Sequence, residues 1–139
     1  MSRVINPDSA GKQRNQHMRS CAEMLRHLSQ KEKIDDEARD MLATIVIMLR
    51  EIDDGLEVAV EAWEKRDFYM KAEQLRQKWA WVSANADKLN AHIRAEQWDK
   101  IPEALVKMMP NFAEIEITTF TRKPKVWEGN YQRLLEAQS

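Results

Sequence analysis

A chain of 139 residues, 43% hydrophobic and 32% charged, is long enough to bury the core of one domain and too apolar to remain disordered over most of its length. Its net charge of −1 excludes a strongly basic nucleic-acid binder, and its mean hydropathy of −0.67 points to a soluble protein. Three Gly and four Pro leave few helix breakers, and a single cysteine, Cys21, excludes an intrachain disulfide.

The charge is unevenly spread. Residues 1–33 hold seven Lys/Arg against three Asp/Glu, and residues 34–64 hold two against ten. The basic opening segment and the acidic one after it are expected to attract each other inside the fold. MSRVINPDSAGK has no apolar run of the kind a signal peptide needs. The longest apolar run, MLATIVIML, falls far short of the roughly 20 residues that span a bilayer. A cytoplasmic protein with no membrane contact is therefore expected.

In chain order, the first helix is predicted to open at INPDSAGK, with Asn6 as cap and Pro7 in the first helical position. Met18, Cys21, Leu25 and Leu28 recur at steps of three and four, and the helix should end near Gln30. The second helix should begin at Asp35 or Asp36, where acids suit the positive end of the helix dipole. Its seam is Ala38, Leu42, Ile45, Leu49, Ile52, Leu56, Ala59 and Trp63, a heptad pattern held for more than three repeats. Gly55 interrupts it at a cost of about 1 kcal/mol relative to Ala, which the long seam should override. A third seam, Phe68, Ala72, Leu75, Trp79, Val82, Ala86, Leu89 and Ile93, starts out of phase with the second. The phase break at EKRD predicts a turn with Asp67 as the N-cap of the new helix, hence an antiparallel helical hairpin.

Trp98 to Met109 predicts a short fourth helix, capped by Asp99, with Pro102 in its first turn and Pro110 ending it. IEITTFT, residues 115–121, alternates apolar and polar and is the strand-like stretch of the sequence. One strand has no partner within the chain, so the segment should be an extended arm or half of a ribbon shared with a second copy. Trp127, Tyr131, Leu134 and Leu135 predict a final short helix.

Several side-chain groups invite chemistry. Asp54, Glu57, Glu61 and Glu64 fall along one side of the second helix. A hard cation needs several oxygens converging from more than one element. Lys65, Arg66, Lys71 and Lys78 are placed to answer these charges, so a solvated, ion-paired face is expected. DEARD at 36–40 and EIDD at 51–54 resemble the EExxE and ExxD motifs of all-α nucleotide pyrophosphohydrolases. The resemblance implies Mg²⁺ held by Asp36, Glu37 and Asp40 with Glu51 and Asp54. Fourteen residues of one unbroken helix put Glu37 and Glu51 about 21 Å apart, however, too far to share an ion.

His17 and Cys21, four apart, have the spacing of a soft-metal pair or an activated thiol, yet no second Cys or oxyanion site accompanies them. A buried structural Cys is the simpler reading. His92 and Glu96 read as a helix-surface pair. DSAGKQ lacks the remainder of a phosphate-binding loop. Lys123, Pro124 and Lys125 beside Trp127 and Tyr131 carry too few cations for strong nucleic-acid binding. Trp63 and Trp79 should be core near the turn; Trp81 should face elsewhere, toward Tyr69, Met70 or another helix; Trp98 and Trp127 should pin the C-terminal segments. Met41, Met48, Met70, Met108 and Met109 read as core filler.

The fold expected is all-α: an antiparallel up-down-up helical bundle with coiled-coil-like seams over residues 1–110, including the short fourth helix, then an extended C-terminal arm with a short helix over 111–139. The function expected is a non-enzymatic interaction or scaffold protein, a homodimer assembled through its C-terminal arm and open to a protein partner. No catalytic, cofactor-binding or metal-binding residue is assigned. The alternative is an Mg²⁺-dependent pyrophosphohydrolase-like enzyme using the second helix's carboxylates.

Overall fold

The computed structural model describes residues 7–137; these are 78% helical and contain no strand, so the class is all-α. Six α-helices run in chain order: α1 Pro7–Ser29, α2 Asp36–Lys65, α3 Tyr69–Lys78, α4 Trp81–Arg94, α5 Ile101–Met108 and α6 Asn130–Ala137. The predicted Asn6 cap lies outside the described residues. No helix among those described is long and apolar enough to cross a membrane.

The central element is α2, which packs against α1, α3, α4 and α6. Asp35 caps it, its side chain accepting the Ala38 amide at 2.9 Å, which satisfies one of the unpaired donors of the first turn. Ala38, Leu42, Ile45, Leu49, Ile52, Leu56 and Ala59 are all buried, as their spacing predicts. Each Leu or Ile contributes about 1.5–3 kcal/mol by leaving water. In its first half α2 is buried nearly all round, Met41 through Val46 included, because neighbours cover several sides. In its second half the outer side is bare and the acids lie there. Met18, Cys21, Leu25 and Leu28 of α1 and Val82, Ala86, Leu89 and Ile93 of α4 join α2 in the core, with Ile101, Leu105 and Met108 of α5, Leu134 of α6, and Phe112 and Trp127.

Polar pairs tie the neighbours. His17 lies 2.8 Å from Glu51 and His27 lies 2.9 Å from Glu37, joining α1 to α2. Arg76 pairs with Glu64 at 2.9 Å and Arg50 approaches Asp87 at 3.6 Å, joining α2 to α3 and α4.

Three local expectations need correction. Asp67 does not cap a new helix. It closes the old one in the left-handed region at φ 63°, with its amide on Glu64 O and the Phe68 amide on Trp63 O. This pair of bonds is a Schellman C-cap, completed by the apolar contact of Phe68 with Trp63 at 5.7 Å. The third seam is not one helix but two, broken at Trp79 and Ala80 by a tight turn. Side chains two apart on a regular helix point to opposite sides. The break lets the Trp79 and Trp81 rings come within 6.1 Å while Trp81 also reaches Phe112 at 5.5 Å. Tyr69 and Met70 are not its neighbours. Residues 98–100 form a 3₁₀ turn before α5, so Asp99 caps nothing, and a second such turn carries the chain through Pro110.

The expected strand at 115–121 is an irregular, unladdered segment, bent at Ile115 and Thr119, that lies on α1 of its own chain. Its carbonyls are taken by arginine side chains: Arg19 Nη1 donates to Glu116 O at 3.2 Å and Arg26 Nη1 to Ile117 O at 2.8 Å. The chain then turns at Pro124–Val126, buries Trp127 and enters α6. Asp40 of α2 accepts the Gly129 and Tyr131 amides at 3.2 and 3.0 Å, and Asn130 Nδ2 donates to Thr44 Oγ1 at 2.8 Å. These bonds seat the start of α6 on α2, and Leu134 is buried beneath it.

Candidate functional site

The residues singled out for chemistry are separated by the fold. Glu37 is engaged by His27 and Lys31, which both pull its carboxyl down, Lys31 the more strongly. Asp40 is occupied by α6, and Glu51 faces His17 on a different stretch of α2. The two resembling motifs thus lie along one unbroken helix, with no cluster of three or more His, Cys, Asp or Glu in metal-holding geometry among the described residues. Cys21 is fully buried and burial pushes its thiol up to about 12. A thiol held there is protonated at neutral pH and is a poor nucleophile. His17 turns to Glu51 at ion-pair distance, without hydrogen-bond alignment, instead of toward that sulfur. His92 takes Gln97 at 2.9 Å in place of Glu96, which sits at φ 55° in a second Schellman cap. Trp127 is buried and Tyr131 rests 5.9 Å from Trp98, so neither ring is presented for stacking on a base.

Two regions carry concentrated polar chemistry. The first is internal. Glu23, facing outward from the apolar seam of α1, is buried at 1% exposure under the arm. It accepts the Thr121 hydroxyl at 2.8 Å, the Thr121 and Arg122 amides, Arg122 Nη1 at 3.2 Å and Arg19 Nε at 3.0 Å. Burial pushes this carboxyl up, but the Thr121, Arg19 and Arg122 donors outweigh burial and hold it down at about 2. Arg122 also donates to Ser20 Oγ at 2.9 Å. This is a saturated knot, with no coordination position left for a ligand.

The second region is open. At the α2–α3 turn Phe68, Tyr69 and Met70 are 43%, 61% and 78% exposed. Large apolar side chains seldom gather like this on a surface with nothing to meet. Met70 is therefore not core filler, and Trp63 is half-buried at this end. Arg66 and Lys71 lie over the Trp63 and Phe68 rings at 4.9–5.8 Å. Neither forms an ion pair among the described residues, contrary to the expectation that they, with Lys65 and Lys78, answer the acids of α2. Lys78 lies over Trp79, and it is Arg76 that takes Glu64.

Beside this tip, between α2 and α3–α4, lies a cleft of about 410 Å³. Its floor is Leu56, Val60, Leu75 and Trp79. Its wall is acidic: Asp53, Glu57, Glu61 and Glu64, relieved by Arg76. Asp53, Glu57 and Glu61 have no ion pair among the described residues. Burial first, and then the neighbouring Asp54 and Asp87 charges, push the Asp53 carboxyl up. Tyr69, Glu73 and Arg76 are spaced by four and three, so the exposed tyrosine stands on the face of α3 that borders the cleft. The sequence carried signs of this region in the acid spacing and in the adjacent FYM. The cleft itself depends on the α3–α4 break, which no Pro or Gly announces.

Compared with family models, curated proteins and solved structures, the chain matches none.

Proposed function

We propose that the chain is a non-enzymatic interaction or scaffold protein that presents the α2–α3 end to a protein partner and uses its C-terminal arm as an internal strap. The observation that carries this reading is the exposed Phe68–Tyr69–Met70 tip beside an acid-walled, apolar-floored cleft. Exposed aromatic and Met side chains flanked by cations are the composition of a protein-binding hot spot. Self-association through the arm, expected from the sequence, draws less support than association at this end. The arm's carbonyls and Thr121 are already engaged by Arg19, Arg26 and Glu23 of the same chain.

The finer architecture proposed is an up-down-up bundle with coiled-coil-like packing. Cross-helix pairs support it. As residue number rises on α1 it falls on α2, from His17–Glu51 to His27–Glu37. The same inversion relates α2 to α3–α4, from Arg50–Asp87 to Glu64–Arg76. Such pairings belong to helices running in opposite directions.

Two measurements test the reading. Thermal unfolding of the full chain with Mg²⁺, Mn²⁺ or Zn²⁺ is expected to leave the midpoint unchanged; stabilisation by several degrees would favour the carboxylate-metal enzyme instead. A photo-cross-linking side chain at position 69 or 70 is expected to give protein adducts that the same group at exposed Thr118 does not. Equal yields at both places would remove the α2–α3 end as the contact surface.

A further inference from the structure

Resting on that reading, we propose that the partner at the α2–α3 end is a second copy of this chain, docked reciprocally: the Tyr69–Met70 tip of each copy, with Arg66 and Lys71, enters the acidic cleft of the other.

Three observations point to self-recognition over a foreign basic partner. The tip has exposed apolar anchors and two cations without an ion pair among the described residues; the cleft has an apolar floor and three acids without one among them. One surface is the chemical complement of the other, and both belong to the same end of the same chain. A foreign basic segment would fill the cleft and leave Arg66, Lys71 and the exposed aromatics unmatched. A two-fold arrangement matches both halves at once, as an isologous interface requires. The geometry is compatible with such a pair. Tyr69 and Trp79 are ten residues apart, and α3 stays helical nearly throughout, so tip and cleft floor are separated by roughly 15 Å along the helix. Two copies laid side by side in opposite directions, offset by that length, bring each tyrosine over the other's floor. Tyr69 and Met70 supply the buried anchors there, and the charge pairs at the rim set direction and register.

The test uses the full chain and two charge-reversed variants, R66E/K71E at the tip and E57K/E61K in the cleft. These side chains are exposed and lie outside the core, and helicity with the unfolding midpoint shows that each variant folds. Sedimentation is followed from about 1 µM to about 1 mM at low and high salt. The wild-type chain is expected to dimerise, and added salt to weaken the dimer through its exposed charges. Each variant alone is expected to be monomeric, since its own tip and cleft now carry like charge. An equimolar mixture is expected to recover a dimer, because one contact then sets the acidic tip against the basic cleft and the other sets the unaltered basic tip against the unaltered acidic cleft. A monomeric wild type, dimers unaffected by either reversal, species that grow without limit, or a mixture that stays monomeric would each overturn the proposal. A monomer that still cross-links to other proteins from position 69 would overturn this pairing alone and leave the interaction reading intact.

Discussion

The strap over α1 and the tip of the α2–α3 turn are both polar, charged and aromatic, yet they are built to opposite ends. Under the strap, Glu23 has five donors, Thr121 and Arg122 are bonded, and Phe120 and Trp127 lie 5.5 Å apart against the bundle. At the tip, Arg66 and Lys71 lie over rings with no ion pair among the described residues, the cleft's acids are answered only at Glu64, by Arg76, and a tyrosine and a methionine stand in water. The contrast separates two uses of the same residue types. A buried charge is tolerated only when its partners are supplied by the same chain, because desolvation otherwise costs several kcal/mol. An exposed charge costs little to leave unpaired, so a surface can hold it ready for a partner. Where the inventory of donors and acceptors closes, the region stabilises; where it stays open, the region is available to bind.

The sharpest way to break this comparison is at Glu23. Replacing it with Ala removes the acceptor shared by Thr121, Arg122 and Arg19 and is expected to destabilise the chain by about 3 kcal/mol in chemical denaturation. A loss below about 0.5 kcal/mol would show the strap to be ornamental. The same group sets an acid dependence. Its folded-state value is depressed from 4.5 to about 2, so the stability it contributes is present in full above pH 4.5 and is lost as pH falls toward 2. Titrating stability over that window should show a limb that flattens in the Glu23→Ala variant. An equally steep limb in both would assign the acid sensitivity to other carboxylates.

Asp40→Ala sharpens the picture at the other anchor of the C-terminal segment. It leaves the Gly129 and Tyr131 amides without their acceptor and should cost about 1 kcal/mol, with α6 losing hydrogen-exchange protection before α2 does. Gly55→Ala should act in the opposite sense. It lies on α2 near the open end, a Cβ there meets nothing within 4 Å, and helix propensity should raise stability by about 1 kcal/mol. An unchanged or lowered midpoint would mean the site is tighter than its geometry indicates. Smallest of all, Tyr69→Ser with Met70→Ser should move the stability of the monomer by no more than about 0.5 kcal/mol while abolishing contacts made from that end. If the double variant unfolds readily, the tip is part of the core and the contrast between the two regions fails.

Much of the helical framework is legible in the residues themselves. The α2 seam from Ala38 to Ala59 is buried at each position its spacing selects, because a helix facing neighbours on one stripe must repeat apolar groups every three or four residues. The start of α2 at Asp35 or Asp36 is legible for an equally local reason, since acids suit the positive end of a helix; that the Asp35 carboxylate takes the Ala38 amide is seen only in the structure. The end of α2 is harder to read, since the left-handed position is filled by Asp67 instead of Gly. The break at Trp79 and Ala80 is invisible to periodicity, since the apolar spacing runs through it and no Pro or Gly marks it; the ring that Trp81 meets beyond it, Phe112, comes from a distant turn. Residues 115–121 have strand-like alternation, but alternation supplies no partner strand. Arg19 and Arg26 take the carbonyls that a ladder would have used.

Local periodicity and capping chemistry therefore determined that this chain is helical, where α2 begins and which of its faces is dry. Those properties depend on residues a turn or less apart, and the sequence writes them directly. Only tertiary structure decided that Glu23 is a buried knot while Glu57 and Glu61 are open to water. All three are acids on helices, and what distinguishes them lies almost a hundred residues away in one case and across the α3–α4 break in the other. A carboxylate's role is set by which donors reach it, and that is a property of the assembled chain.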